Sequence, residues 1–329
     1  MRAILILVFG ALLAGVAPAG ASDWRVDGVD RVVAISDVHG AYGAMVETLK
    51  AVDIIDADLA WSGGTSNLVI VGDLLDRGPR SRDAMDLLMR LEGEAQAAGG
   101  YVHVLIGNHE SMNMLGDMRY VSKLEYAAFA AEETVEERDR WFRAWARRQP
   151  MPRDVPELRK TFDASFPPGF FALRRAFGPN GKYGSWLLQK PLMAVINGTA
   201  FVHGGLPPLI TEYGLDGVNT TLHGELVEYV EAVFKLMDAE VLLPTDSQFD
   251  YTRIIDRRLP RVDESPELLA AADAVQRLDS SAAITTDGPL WYRSNVACGG
   301  LIEQVRLEQA LEAIGAERVV VGHTPTPGR

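Results

Sequence analysis

The chain has 329 residues, 47% of them hydrophobic and 23% charged, with a formal net charge of −13. That length is room for one large domain or two small ones, and the composition is that of an ordinary globular protein. The negative charge excludes recognition of nucleic acid through a broad basic surface and leaves no polybasic patch for an anionic membrane.

The first 21 residues, MRAILILVFGALLAGVAPAGA, read as an export signal. Arg2 supplies a basic start, Ile4 to Val16 an apolar core, and Ala19-Gly20-Ala21 a small-residue cleavage site, so the mature chain is expected to begin near Ser22. The apolar core is too short for a comfortable membrane span, and no stable membrane association is expected after cleavage. Cys298 is the single cysteine, which excludes a lipoprotein signal and an intramolecular disulfide. A periplasmic location is expected.

From Arg31 onward apolar runs alternate with amphipathic ones. Strands are predicted at 31–36 (RVVAIS), 68–72 (LVIVG) and 101–106 (YVHVLI), with helices over 44–52 and 84–98 between them. Strand–helix–strand alternation with continuous apolar strands implies a largely parallel sheet buried on both faces. Residues 117–190 read as a helical insertion followed by proline-rich turns. Strand character returns at 194–205, helices are predicted at 225–237, 266–278 and 303–314, and a last strand at 318–322. There is no internal repeat, low-complexity tract or clean linker, so residues 22–329 read as one elaborated catalytic domain.

The chemistry-bearing residues fall where the strands end. The clusters are Asp37-Val-His39-Gly40, Gly72-Asp73 with Asp76-Arg77-Gly78, Gly107-Asn108-His109-Glu110, His203-Gly204-Gly205 and Gly322-His323-Thr324. In a parallel sheet such residues converge on one crevice, and the spacings of 36 residues from Asp37 to Asp73 and 35 from Asp73 to Asn108 suit successive βαβ units. Asp, His and Asn offer oxygen and imidazole donors without thiolate, a set that suits Mn, Fe or Zn. It exceeds what one tetrahedral ion needs and fits two ions sharing a carboxylate, with Asp73 the natural bridge. Four of the six histidines lie in these clusters; His103, on a strand, and His223, in a polar turn, take a structural reading. Trp186, Trp291 and Tyr292 read as core aromatics.

SDVHG, GDLLDRG, GNHE, HGG and GHT, in that order, resemble the motif set of the calcineurin-like metallophosphoesterases. The DRG and HGG forms resemble the phosphoprotein phosphatase branch, and GNHESMNMLGDMRYVS and DGPLWYRS are similar to the bacterial Shewanella-like protein phosphatases. The likeness runs from Asp37 to Thr324. It implies an α/β sandwich of mixed β-sheets flanked by helices. It further implies two divalent ions, manganese first among them, with Asp37, His39 and Asp73 on one and Asp73, Asn108, His203 and His323 on the other. His109 matches the general acid, Asp76 the residue orienting its ring, and Arg77 a phosphate-binding arginine, with Arg293 as a second clamp and Asn108 also near the phosphate. The expected reaction is hydrolysis of phosphate monoesters, on phosphoprotein or phosphopeptide substrates, by a hydroxide shared between the ions.

Two departures qualify the likeness. Ile106 stands where eukaryotic members carry arginine, and the chain stops six residues past His323, where family members continue into further strands; the expectation is either a fragment lacking C-terminal strands or a second sheet that is short at that edge. Other phosphatase routes lack their residues: no Arg lies six beyond Cys298, and Asp56-Ala-Asp58-Leu-Ala60 lacks the final residue of an aspartyl-nucleophile loop. The nearest rival is hydrolysis of dinucleoside polyphosphates such as diadenosine tetraphosphate, followed by small-molecule phosphoesters and a metal-binding module without activity.

Overall fold

A computed structural model describes residues 24–149, 155–259 and 265–326. The export signal read in residues 1–21 lies outside them. Among the described residues the strands are β1 Arg25–Val26, β2 Val32–Ile35, β3 Asn67–Ile70, β4 Tyr101–Val104, β5 Met193–Ile196, β6 Thr199–Val202 and β7 Arg318–Val320. They form two sheets: a parallel one in the order β2-β3-β4, and a mixed one in the order β1-β5-β6-β7.

Two sheets flanked by helices are what the family likeness implies, whereas the largely parallel sheet read from the strand pattern holds for β2-β3-β4 alone. The first three strands are parallel, in keeping with their continuous apolar text. The stretch read as one return of strand character is an antiparallel hairpin, β5 to β6, turning at Asn197 and Gly198 with φ of 48° and 69°. Asparagine and glycine are the residues that accept this left-handed turn at least cost. The two-residue β1, which pairs with β5, went unread because so short a run has no period to detect.

Alternation along β3 explains how the sheets stack. Leu68 and Ile70 join the main core with the helices Tyr42–Ala51 and Ser81–Ala97. Val69, the next residue Val71 and Leu105 point the other way, onto Ala194, Ile196 and Phe201 of the second sheet. Successive side chains of a strand face opposite sides, so one central strand, buried throughout, glues both layers.

The segment between Asn108 and β5 is helical: Asn108–Leu115, Lys123–Phe129, Val135–Ala146, Val155–Ser165, Phe170–Ala176 and Lys182–Leu187. Ser122 and Thr134 cap two of these by accepting from the backbone N–H of Glu125 and Glu137. Aromatic rings fill their interior, Phe162 lying 5.6 Å from Phe171 and 5.4 Å from Phe142. Ser265 caps Pro266–Leu278, whose bounds coincide with the predicted helix because a serine cap and a first-turn proline are local signals. His223 opens the helix His223–Asp238 instead of sitting in a polar turn.

Candidate metal centre and its acid

Each cluster is aimed by the backbone just past a strand. Asp37, His39, Asp73, Asp76, Arg77 and His323 all have positive φ, between 47° and 72°. Side chains other than glycine adopt this region reluctantly, at a cost of about 1–3 kcal/mol each. The turns are pinned together: His39 N–H donates to Asp73 O at 2.9 Å, and Gly322 N–H to His203 O at 2.9 Å. Gly72 has φ of 78°, and a Cβ there would lie 2.6 Å from Gly107 Cα; one on Gly107 would lie 2.4 Å from an Asp73 carboxylate oxygen. Both glycines are required by contact.

The clusters of both sheets meet at one rim. Asp73 Oδ2 lies 3.2 Å from His203 Nε2, 3.7 Å from His39 Nε2 and 3.9 Å from His109 Nε2. Asp73 belongs to two groups that could each hold an ion, one with His39 and His109 and one with His203 and His323. Asp37 stands at the first group, 3.8 Å from His39 Nε2, while its carboxylate accepts from Ser36 Oγ and from His323 N–H. Asn108 Oδ1 stands at the second, 3.0 Å from His203 Nε2. All six residues expected as ligands are thus in one cluster.

The tautomers show why cations fit. His39 Nδ1 donates to Leu75 O at 2.9 Å and His203 Nδ1 to Val71 O at 2.8 Å. At His39, a neutral ring so held turns a bare Nε2 lone pair toward Asp73. His39 Nε2 and His323 Nε2 are buried with no partner, and an unsatisfied buried polar atom costs about 1–3 kcal/mol. At His203 burial is outweighed by Asp73 and the pKa is raised, so Nε2 carries a proton toward Asp73 Oδ2 and Asn108 Oδ1, in the place that a cation would take. Burial lowers the pKa of His39, and lowers that of His323 to about 4 with help from His203 and Arg293. Both rings are neutral, as ligands must be. For Asp73, burial raises the pKa, but His203 and His109 outweigh it and bring it down to about 2.

His109 is held differently from the others. Its Nδ1 donates to Asp76 Oδ2 at 2.6 Å, and its Nε2 faces Arg77 Nη2 at 3.3 Å. Burial favours the neutral ring, yet Asp76 and Asp73 more than offset this and raise its pKa. A ring whose Nε2 confronts a guanidinium is a poor metal ligand. Arg77 and Arg293 are exposed at the edge of the rim, in contrast to the buried ligand set. Arg293 Nη1 donates to His323 O at 2.8 Å, so one arm of that guanidinium is already engaged.

Sequence reading missed the role of one residue that builds this centre and missed another altogether. Glu110 is fully buried and accepts from the N–H groups of Asp73, Leu74 and Gly107, each at 2.8 Å. Burial and Asp73 push its carboxyl up to about 7, against the pull of those N–H groups. Its signal was the final letter of GNHE, three residues into a helix beginning at a glycine. Asn113 donates to Asp76 Oδ1 at 2.9 Å and to His109 O; its signal was the four-residue helical step from His109. Tyr120, 45% exposed, sets its ring 5.1 Å from His109. Ile106 is fully buried in the core. His103, on β4 away from the rim, bonds Asn67 Oδ1 through Nε2.

Residues 30–327 match the family model described as calcineurin-like phosphoesterase. Shewanella-like protein phosphatase 2 of Arabidopsis thaliana is 34% identical over 211 residues, 61% of this chain and 52% of that protein. Shewanella-like protein phosphatase 1 of Plasmodium berghei is 26% identical over 189 residues, 57% of this chain and 42% of that one. The chain therefore spans about half or less of the length of these two relatives. Among solved structures, a cold-active protein-tyrosine phosphatase of a psychrophilic Shewanella covers 92% of this chain and 67% of its own, at 25% identity and a TM-score of 0.52.

Proposed function

The chain belongs to the calcineurin-like phosphoesterase family, and on that premise we propose that it is a binuclear metal-dependent phosphatase hydrolysing phosphate monoesters on proteins. The observation that carries this reading is the convergence of imidazole Nε2 atoms on Asp73 Oδ2, two of them buried without a partner. Asp37, His39 and Asp73 would hold one ion, and Asp73, Asn108, His203 and His323 the other. Nitrogen and oxygen donors suit manganese, with iron or zinc as substitutes. Bound there, two divalent ions lower the pKa of water and neutralise charge on the phosphoryl oxygens.

The chain's own residues do the rest. Arg77 binds phosphoryl oxygens through its forked donors, and Arg293 offers its free arm as a second clamp. Asp76 fixes the proton of His109 on Nδ1, leaving Nε2 as the atom that hands a proton to the departing oxygen. The raised pKa of His109 keeps that proton available near neutral pH. Asn113 keeps Asp76 from turning away, and Glu110 holds the Asp73 turn against the helix that carries Asn108 and His109.

Phosphoproteins are favoured as substrates by the relatives, both described as protein phosphatases, and by a structural neighbour described as a protein-tyrosine phosphatase. Assay of phosphotyrosine and phosphoserine peptides beside diadenosine tetraphosphate separates this reading from its rival; preference for the dinucleotide would overturn it. His109→Asn is expected to lower kcat by about 10²–10⁴-fold while elemental analysis still finds two ions per chain. A fully active variant would remove His109 from the reaction. Export belongs to the same reading, and N-terminal sequencing of the secreted protein is expected to begin near Ser22.

A further inference from the structure

The two arginines at the rim are aimed in different ways. Arg77 stands in a strained turn, with φ of 63°, whereas Arg293 has an ordinary φ of −112°. The tip of Arg293 is held by one bond, from Nη1 to His323 O at 2.8 Å. Its base is held by its neighbours in the chain. Tyr292 is buried and its hydroxyl donates to Glu303 Oε1, and Asn295 Nδ2 donates to the same oxygen at 3.3 Å. Glu303 thus ties down the residue before Arg293 and the residue two after it.

Asn295 also grips the loop that follows His203. Its Oδ1 accepts from Leu206 N–H at 2.6 Å, and its Nδ2 donates to Leu206 O at 3.4 Å. A Cβ on Gly205 would lie 2.7 Å from Asn295 Oδ1, so only glycine lets the two loops approach so closely. Glu303 itself lies in the first turn of the helix Gly300–Ala313 and is 3% exposed. Its Oε2 is buried without a hydrogen-bond partner, with Arg306 Nη1 3.8 Å away. A well-packed apolar residue would hold this helix at least as firmly as a buried carboxylate does. Packing alone therefore leaves Glu303 unexplained.

We propose that Glu303 is a positioning residue for phosphate binding: through Tyr292 and Asn295 it fixes residues 292–295 and so sets where the Arg293 guanidinium meets a phosphoryl group. This rests on the clamp role given to Arg293 above. Glu303 touches neither substrate nor the ligand set. Without its two bonds, Arg293 samples more orientations, and holding one of them on phosphate costs more entropy. Asn295 keeps its own contacts with Leu206, so the His203 loop and the metal centre stay in place.

Calorimetric titration of the manganese-loaded full chain with inorganic phosphate tests this. No turnover is read, so a chain that hydrolyses no ester would sink the phosphatase reading and still report on Glu303. Arg293→Ala is expected to weaken phosphate at least about tenfold. Glu303→Leu should weaken it about tenfold in the native background, with bound manganese unchanged, and by less than about twofold once Arg293→Ala is present. Glu303→Gln keeps an acceptor for both donors and should stay within about twofold of the native chain. Tyr292→Phe, which deletes one hydroxyl and keeps the packed ring, serves where Glu303→Leu does not fold; it should weaken phosphate several-fold, again only while Arg293 is present. Equal losses with and without Arg293, a loss in Glu303→Gln as large as in Glu303→Leu, or unchanged affinity in both Glu303→Leu and Tyr292→Phe would overturn the proposal, the first by making Glu303 a structural support only. Native affinity in Arg293→Ala would strike the clamp and this inference with it, while hydrolysis is judged separately by turnover.

Discussion

The rim and the helical segment beside it are built on opposite terms. Six rim residues other than glycine have positive φ, and buried imidazole nitrogens there lack partners. Between residues 123 and 187, no described residue other than glycine has positive φ. That segment is held by capped helices and by rings such as Phe162, which is fully buried. The contrast teaches that this protein holds its reactive groups in strained turns, and that relaxed aromatic packing elsewhere offsets the strain.

If that division is real, substitutions on the two sides separate activity from stability. At the rim, Asp73→Asn is expected to cut kcat on p-nitrophenyl phosphate by on the order of 10³-fold, with bound metal falling below two per chain by elemental analysis. Its melting temperature without metal should fall, because a carboxylate whose pKa lies below its ordinary value in the fold stabilises it. A variant with an intact binuclear site would refute the shared role of Asp73. In the helical segment, Phe162→Ala should cost about 3–5 kcal/mol of stability by denaturant unfolding, while kcat/KM of the folded fraction stays within about twofold. A large kinetic defect there would erase the division.

The rear of the sheets adds a third arm through His103. Burial lowers its pKa to about 4, so the unfolded chain binds a proton that the folded chain refuses. Stability is then full above the ordinary histidine pKa and is lost as pH falls from about 6.5 toward 4. Acid unfolding of His103→Gln should lose about 2–3 kcal/mol of that dependence, with activity near neutral pH unchanged. The smallest effect is expected from Asn113→Ala. Freeing Asp76 Oδ1 should lower kcat about tenfold with KM unchanged, and shift the pH profile of kcat because the acid's partner can turn. A simple loss of stability with an unaltered profile would make Asn113 structural only.

Much of the centre was legible before any coordinates. GDLLDRG, GNHE, HGG and GHT each place polar residues directly after an apolar run, and that pattern is local, since strands end where glycine and carboxylates begin. The fold was read less completely. The strand pattern by itself read one parallel sheet and only the family likeness implied a second, because stacking depends on which face of β3 meets β5 and β6, with Val69 and Ala194 of one cluster some 125 residues apart. Glu110 was named without a role and Asn113 escaped notice, because their partners are backbone N–H groups and a second carboxylate that only folding brings near.

The sequence alone determined which side chains stand at strand ends and their donor chemistry. Only the tertiary structure decided that the ends of two sheets share a rim and that Asp73 lies centrally among the imidazoles. The physical reason is range. Donor type and turn propensity belong to a residue and its neighbours, whereas coordination and buried charge depend on distances that packing sets.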